Sequence, residues 1–505
     1  MKLMSFPRLF CRKNISCFFD KFSVTFSVKY RISCCYFASN PYLDLDIFIL
    51  LVLYHMQRQS GWRQKSKEDI KKIFEFCEGY KGFLDLAKTE REAARFVENV
   101  LIQDGFKDSF EHPKAFMVNK HKNVFALIRG RQPLTRGLNI IVAHTDAPRL
   151  DLKQNPLFED VELGLLRTHY YGGIKKYQWV AIPLAIHGVI IKKDGTSIDL
   201  SIGENDRDPV FVIDDLLPHL SRKTHDEKRL SEAIEGEKLV LLFGSIPLVG
   251  SEKEGIKEGI LKILNDMYGI VEDDFVSAEL EVVPAFRARD VGIDRSMIGG
   301  YGQDDRACAY TLLKALCNVD EPDNTCLAIF ADKEEIGSEG NTGMQSSVLQ
   351  IFLYDILEGM GLTADEVMVK KILYSSRAIS ADVNGPVNPM YQDVHEKQNA
   401  CYLGRGVCVS KFTGHGGKGG ASDANAEYVG EIRRLFEKEG ILWQTGELGK
   451  IDQGGGGTVA KHLAVHGMDI IDCGTPILTM HSPFEISSKL DVYETYRAFH
   501  AFFRS

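Results

Sequence analysis

The feature that most constrains the fold is an alternation that stops and later resumes. Before about Leu150, two amphipathic helical patterns are followed by apolar runs of strand type at Asn123–Leu127 and Leu138–Ala143. The first helical pattern, Ser66–Tyr80, carries Ile70, Ile73, Phe74 and Cys77 on one face. The second opens at a capping box, Thr89-x-x-Glu92, and runs to about Gln103 before Gly105. From about Leu150 to Pro284 the pattern changes to short β-rich runs (Trp179–Ile191, Ser197–Ile202, Lys238–Phe243) broken by charged loops. From about Arg287 the α/β alternation returns. Strands are expected at Cys326–Ala331, Ala378–Ala381 and Met468–Cys473, and helices at Arg306–Cys317 and Ala424–Glu439. The pattern is that of one α/β domain split in sequence by a β-rich insertion. The expected segments are 1–55, an unexplained head; 56–150 and 287–505, the two parts of the α/β domain; and 151–286, the insertion.

Composition excludes several classes. Of 505 residues, 44% are hydrophobic and 26% charged, which excludes a mainly disordered chain and a polytopic membrane protein. A net charge of −9 gives no electrostatic reason to expect nucleic acid. The head departs from this average. Residues 1–55 hold 12 aromatics and four of the eleven cysteines, with seven Lys and Arg against three Asp. The apolar run Ile47–Tyr54 is too short to span a bilayer, which takes about 20 residues, and no cleavage site of signal-peptide type follows it. The expectation is an upstream extension, with the functional chain starting near Met56 and no membrane partner. The other seven cysteines form no CxxC pair, which argues against a disulfide framework and fits a reducing, cytoplasmic compartment.

In open α/β sheets, functional groups collect at the carboxyl ends of strands. Five such places carry metal-ligand side chains: Ala143-His144-Thr145-Asp146, Gly302-Gln303-Asp304-Asp305, Asp332-Lys333-Glu334-Glu335, Ser380-Ala381-Asp382 and Met480-His481-Ser482. Each alone has an ordinary explanation, such as a helix cap or a solvated face. Two His and three carboxylates together suit a hard-to-borderline divalent ion.

The order His-x-Asp, Asp, Glu-Glu, Asp, His resembles that of the co-catalytic zinc aminopeptidases. Longer phrases resemble one branch, the aspartyl aminopeptidase and aminopeptidase I family, and its bacterial members most closely. They are AHTDAPRLDLK (143–153), THYYGGIKKYQW (168–179), YGQDDRACAY (301–310), DKEEIGSEGNTG (332–343), GKIDQGGGGT (449–458) and MHSPFEISSK (480–489). The resemblance covers about residues 60–505. It implies a mixed sheet flanked by helices, of the zinc-exopeptidase type, with an inserted β-rich dimerisation domain. It also implies two Zn²⁺ per subunit, with Co²⁺ or Mn²⁺ as substitutes. Asp304 would bridge the metals, His144 and Asp382 would complete one site, and Glu335 and His481 the other. Glu334 matches the general base that takes a proton from a metal-bridging water and delivers it to the leaving amine. Asp146 would orient His144. The Asp304–Asp305 peptide is commonly cis in that family.

Further residues follow from the same resemblance. Gly455 and Gly456, in the run Gly454–Gly457, would let the backbone approach the substrate's amino end. His219, in Leu217-Pro218-His219-Leu220, corresponds to a His that reaches a neighbouring subunit's active site. Lys411 falls near the first side-chain pocket, where a cation would favour an amino-terminal Asp or Glu. Gly385 and Asn388 stand where the eukaryotic branch has His, so strict acidic specificity does not follow. Family members build dodecamers from dimers, and the expected partners are peptides and further copies of the chain. A nucleotide loop is not indicated, because no strand-GxGxxG-helix context surrounds the glycines and Gly419 stands where a Walker A motif has Ser or Thr. Two other readings remain: the same metal core as a carboxypeptidase or N-deacylase, and a non-catalytic scaffold with a vestigial site.

Overall fold

Four apolar segments line up in parallel at the centre of the molecule: Cys326–Ala331, Asn139–His144, Arg377–Ser380 and Asp469–Gly474. Every residue of the first two is buried. Such continuous apolar runs belong to strands covered on both faces. In the computed structural model, which describes residues 59–505 except Glu252, these strands form the middle of an eight-stranded mixed sheet. Antiparallel pairing adds Asn123–Ile128 and Lys114–Asn119 on one side. On the other side, Val407–Ser410 pairs antiparallel with the parallel core, and Trp443–Thr445 then pairs parallel with it. The head and the start expected near Met56 lie outside the described residues.

Strand alternation sorts the side chains between two helical layers. Ile141, Ala143, Ala328 and Phe330 meet helices that include Lys67–Leu86, Glu90–Gln103, Gln303–Cys317 and Lys489–Phe503. Ile140, Val142, Leu327 and Ile329 face Val348–Gly359, Glu366–Ser375 and Ala460–Ala464. Each fully buried apolar side chain contributes roughly 1.5–3 kcal/mol. The expected capping box forms: Thr89 Oγ1 accepts from Glu92 N at 3.2 Å, and Glu92 Oε2 accepts from Thr89 N at 3.1 Å. The preceding helix runs past the expected Tyr80 to Leu86, because Phe83 and Leu84 extend the buried stripe.

The region of changed pattern folds as a second, seven-stranded antiparallel sheet. Its longest element is the hairpin Arg149–Asp160 with Leu163–Tyr171. Helix Gly255–Tyr268 packs Ile256, Ile260 and Leu264 into this sheet's core beside Leu166, Leu241 and Trp179. Trp179 itself follows a 3-10 turn, and its strand starts only at Leu184.

A third sheet joins Arg289–Val291, Met297–Gly300, Glu485–Ser488 and Ile477–Leu478. Its strands of two to four residues are too short for a periodic sequence signal. The five polar groups follow strands of two different sheets. Asp304 and His481 follow strands of this small sheet, and the other groups follow strands of the large one.

Candidate metal centre and active-site cavity

His144 is the last residue of its strand, and Asp382 lies two residues beyond Ser380. Glu334 and Glu335 occupy a single 3-10 turn, Glu334–Ile336, entered through Lys333 in the left-handed region at φ 67°. Asp304 and Asp305 open the helix Gln303–Cys317 with non-helical dihedrals, and the peptide between them is cis. His481, at φ 65°, lies in the turn that joins Ile477–Leu478 to Glu485–Ser488.

These segments converge. His144 Nε2 lies 3.3 Å from Asp304 Oδ1, 3.9 Å from Asp382 Oδ1 and 4.0 Å from Glu334 Oε2. His481 Nε2 lies 3.2 Å from Asp304 Oδ2 and 3.4 Å from Glu335 Oε2. The two oxygens of Asp304 therefore face different imidazoles. Donor atoms of His144, Asp304 and Glu335 lie within 4.8 Å of one another, as do those of His144, Glu334 and Asp382. Glu335 Oε1 is buried without a hydrogen-bond partner. Imidazoles and crowded carboxylates fit zinc.

The electrostatics follow from burial and crowding. Burial, with Asp304 nearby, pushes Glu335 well above the usual carboxylate range, and burial with Glu334 and Asp304 does the same to Asp382. Burial lifts Glu334 to about 7. Burial opposes ionisation of Asp304, but hydrogen bonds from His144 and His481 hold its carboxyl well below its ordinary value. His481 rises to about 10 against the effect of burial, because Asp304 and Glu335 favour its cation. So much unbalanced negative charge at one place favours a bound cation.

Groups outside the donor set fix its orientation. His144 Nδ1 meets the Asp146 carbonyl oxygen at 3.0 Å and Asp146 Oδ1 at 3.2 Å, and Oδ1 accepts the Glu334 N–H at 3.1 Å. Asp146 Oδ2 accepts the Glu335 N–H at 3.2 Å and the Tyr171 hydroxyl at 2.8 Å. Glu485 accepts the N–H of His481 at 2.7 Å and that of Asp304 at 3.1 Å. Asp305 Oδ2 accepts the His144 N–H at 3.2 Å. Tyr171 and Glu485 were not singled out by sequence reasoning. Both lie inside the quoted phrases, THYYGG and MHSPFE, but nothing in a linear sequence reveals pairings across the fold.

A cavity of about 410 Å³ opens onto Asp304, Glu334, Glu335, Asp382 and His481. Gly455 and Gly456 lie on its wall. Gly455 has φ 118°, and a Cβ there would stand 2.0 Å from the Gly414 carbonyl oxygen. Gly414 N donates to Gly456 O at 2.6 Å, so two glycine-rich loops form that wall together. Lys411 is placed differently from expectation. It is absent from the lining, and its ammonium pairs with Asp423, which Lys418 also engages at 2.8 Å. Asp423 therefore offsets the charge that Lys411 was expected to offer. Lys461 is on the wall, half-buried, with no ion pair among the described residues. His219 stands exposed on the short helix Pro218–Ser221, away from the cavity lining.

The fold and the site together define a metallopeptidase. Residues 83–503 match the family described as aminopeptidase I zinc metalloprotease (M18), and the chain belongs to that family. It is a metallo-aminopeptidase, a peptide hydrolase. Among its relatives is a probable M18 family aminopeptidase 1 of Clostridium acetobutylicum, 49% identical over 455 residues, which cover 88% of this chain and 97% of the relative. The protein of the same description from Thermotoga maritima is 49% identical over 450 residues, 88% of this chain and 98% of that one. The crystal structure of an M18 family aminopeptidase from Thermotoga maritima superposes with a TM-score of 0.85 at 48% identity, covering 88% of this chain and 99% of that chain.

Proposed function

We propose that the chain releases single amino-terminal residues from peptides, using two metal ions and Glu334 as general base. The carrying observation is the division of labour within one 3-10 turn. Glu335 turns to His481 and Asp304, while the neighbouring Glu334 carboxylate faces the cavity at 4.0 Å from His144 Nε2. In this reading His144 and Asp382 would hold one ion and Glu335 and His481 the second, with Asp304 shared between them. Two such ions, Zn²⁺ or in its place Co²⁺ or Mn²⁺, would acidify a water and polarise the scissile carbonyl. Glu334 accepts the proton of the attacking water and returns it to the departing amine nitrogen. Asp146 keeps the Nδ1–H of His144 engaged, so that Nε2 faces the donor set. Gly455 and Gly456 let the backbone approach the substrate's amino end.

The decisive assay compares a free-amine peptide with its N-acetylated form. Release of the first residue from the free peptide only is expected. Loss of the carboxyl-terminal residue from both forms would favour carboxypeptidase chemistry, and release of acetate from the acetylated form alone an N-deacylase.

We also propose self-association through the inserted sheet, with a dimer as the first unit and a dodecamer as the full assembly. Leu217 and Leu220 flank His219 and are 50% and 64% exposed, an apolar pair that a second subunit would cover. Sedimentation velocity reads the assembly, and His219→Ala separates a role in catalysis from one in assembly. A cytoplasmic location is proposed from the seven described cysteines, all free thiols. Among the described residues, no helix is long and apolar enough to cross a membrane.

A further inference from the structure

One short segment of the second sheet reaches the metal centre on two sides. Strand Leu163–Tyr171 ends beside the donor set and continues into Gly172 and Gly173. The Tyr171 hydroxyl donates to Asp146 Oδ2 at 2.8 Å. Two residues on, the Gly173 carbonyl accepts from His481 Nδ1 at 2.9 Å. The segment thus engages the support of His144 at one end and His481 itself at the other. Gly172, at φ 69°, lets the backbone pass with a notional Cβ 3.4 Å from Glu335 Cβ.

Asp146 is fully buried, and an ionised carboxylate offers about four acceptor positions. His144 Nδ1, Glu334 N, Glu335 N and Tyr171 Oη approach them. Three of these donors belong to residues of the centre itself. Tyr171 is the one contributed by the second sheet, and it is built in on its other side too. Arg149 lies 3.9 Å from the centre of its ring, directly across the hairpin register. Arg149 Nε is held at 2.9 Å by Asp151 and at 3.0 Å by Glu281 of the same sheet.

We propose that Tyr171 is a positioning residue: its hydroxyl fixes the Asp146 carboxylate and so the direction of His144 and of the Glu334–Glu335 turn, tying the inserted sheet to the metal centre. Without the hydroxyl, Asp146 Oδ2 keeps only the longer contact from the Glu335 N–H, and one of the four constraints on a buried carboxylate is lost. Outer partners of this kind change metal affinity or activity by about 10–100-fold when removed. The inference rests on the reading of Asp146 and the donor set given above.

The test is Tyr171→Phe in the full chain, with Tyr170→Phe as control. Tyr170 is adjacent, but its ring is exposed. The Phe ring keeps the packing against Arg149, so folding should be retained. Zinc content after dialysis against graded dipicolinate is measured beside kcat and KM for one free-amine peptide. The expected result is zinc loss at about tenfold lower chelator in Tyr171→Phe, with kcat reduced at least about tenfold and KM within about twofold. Tyr170→Phe should behave like the parent. Parent-like zinc retention and kcat in Tyr171→Phe would overturn the inference, as would a lowered melting temperature with no change in either. A parent chain that holds no zinc or cleaves no free-amine peptide would instead refute the underlying reading.

Discussion

Asp146 and Glu334 are joined through the backbone: the Glu334 N–H donates to Asp146 Oδ1 at 3.1 Å, which leaves the Glu334 carboxylate free to face the cavity. His144 Nδ1 lies 3.0 Å from the Asp146 carbonyl oxygen and 3.2 Å from the same Oδ1, so one residue holds both the His144 ring and the Glu334–Glu335 turn. In the proposed mechanism Asp146 is a positioning group rather than a reactant. Asp146→Asn places an amide N–H₂ against donors and should lower kcat by about 10–100-fold while KM changes little. Steady-state kinetics on a free-amine peptide checks this.

The donor set predicts unequal metal losses. His481 serves only the Glu335 side, whereas Asp304 faces both imidazoles. Elemental analysis should find about one zinc fewer per chain in His481→Ala than in the parent. Asp304→Ala should retain almost none. Equal retention in the two variants would count against a shared Asp304.

Lys461 is better placed than Lys411 to meet an acidic substrate side chain. Lys411 is offset by Asp423, while Lys461 meets the cavity half-buried and without an ion pair among the described residues. Lys461→Ala should lower kcat/KM for Glu-p-nitroanilide several-fold relative to Leu-p-nitroanilide, in line with about 1 kcal/mol for a partly exposed ion pair. Lys411→Ala should leave that ratio within about twofold. A ratio that moves only in Lys411→Ala would reverse the assignment.

A pH dependence of stability arises far from the cavity. His187 on the second sheet lies 2.7 Å from Glu92 and 3.0 Å from Glu204, and Lys88 holds Glu204 at 2.6 Å. Burial alone would lower the imidazole, but its hydrogen bonds to the Glu204 and Glu92 carboxylates raise it to about 9. The folded value exceeds the unfolded one, so the stabilisation is complete below about 6.5 and is lost as pH rises through about 9. It amounts to roughly 3 kcal/mol. Melting curves from pH 6 to 9.5 should fall for the parent and flatten for His187→Gln.

Much of the catalytic half was legible in the sequence because local signals specify it. The capping box at Thr89 and Glu92, the apolar runs ending at His144 and Ala331, and the polar groups after them are all short-range patterns. The third sheet was not legible, since its strands run only two to four residues and its central pairing, Gly300 with Glu485, joins segments almost 200 residues apart. The hairpin Arg149–Tyr171 was missed for a different reason. Its polar residues, such as Arg149 and Asp151, look solvated in sequence but pair with Glu281 and one another inside the fold. Lys411 shows the same limit, because its partner Asp423 is brought back by a loop.

In the proposed mechanism Glu334 moves the proton while its neighbours hold the metal. The most direct measurement is kcat of Glu334→Gln on a free-amine peptide, with zinc content determined on the same sample. The account predicts a fall of about a hundredfold to ten-thousandfold with zinc content close to the parent's. Turnover near the parent's, at full zinc content, would contradict it.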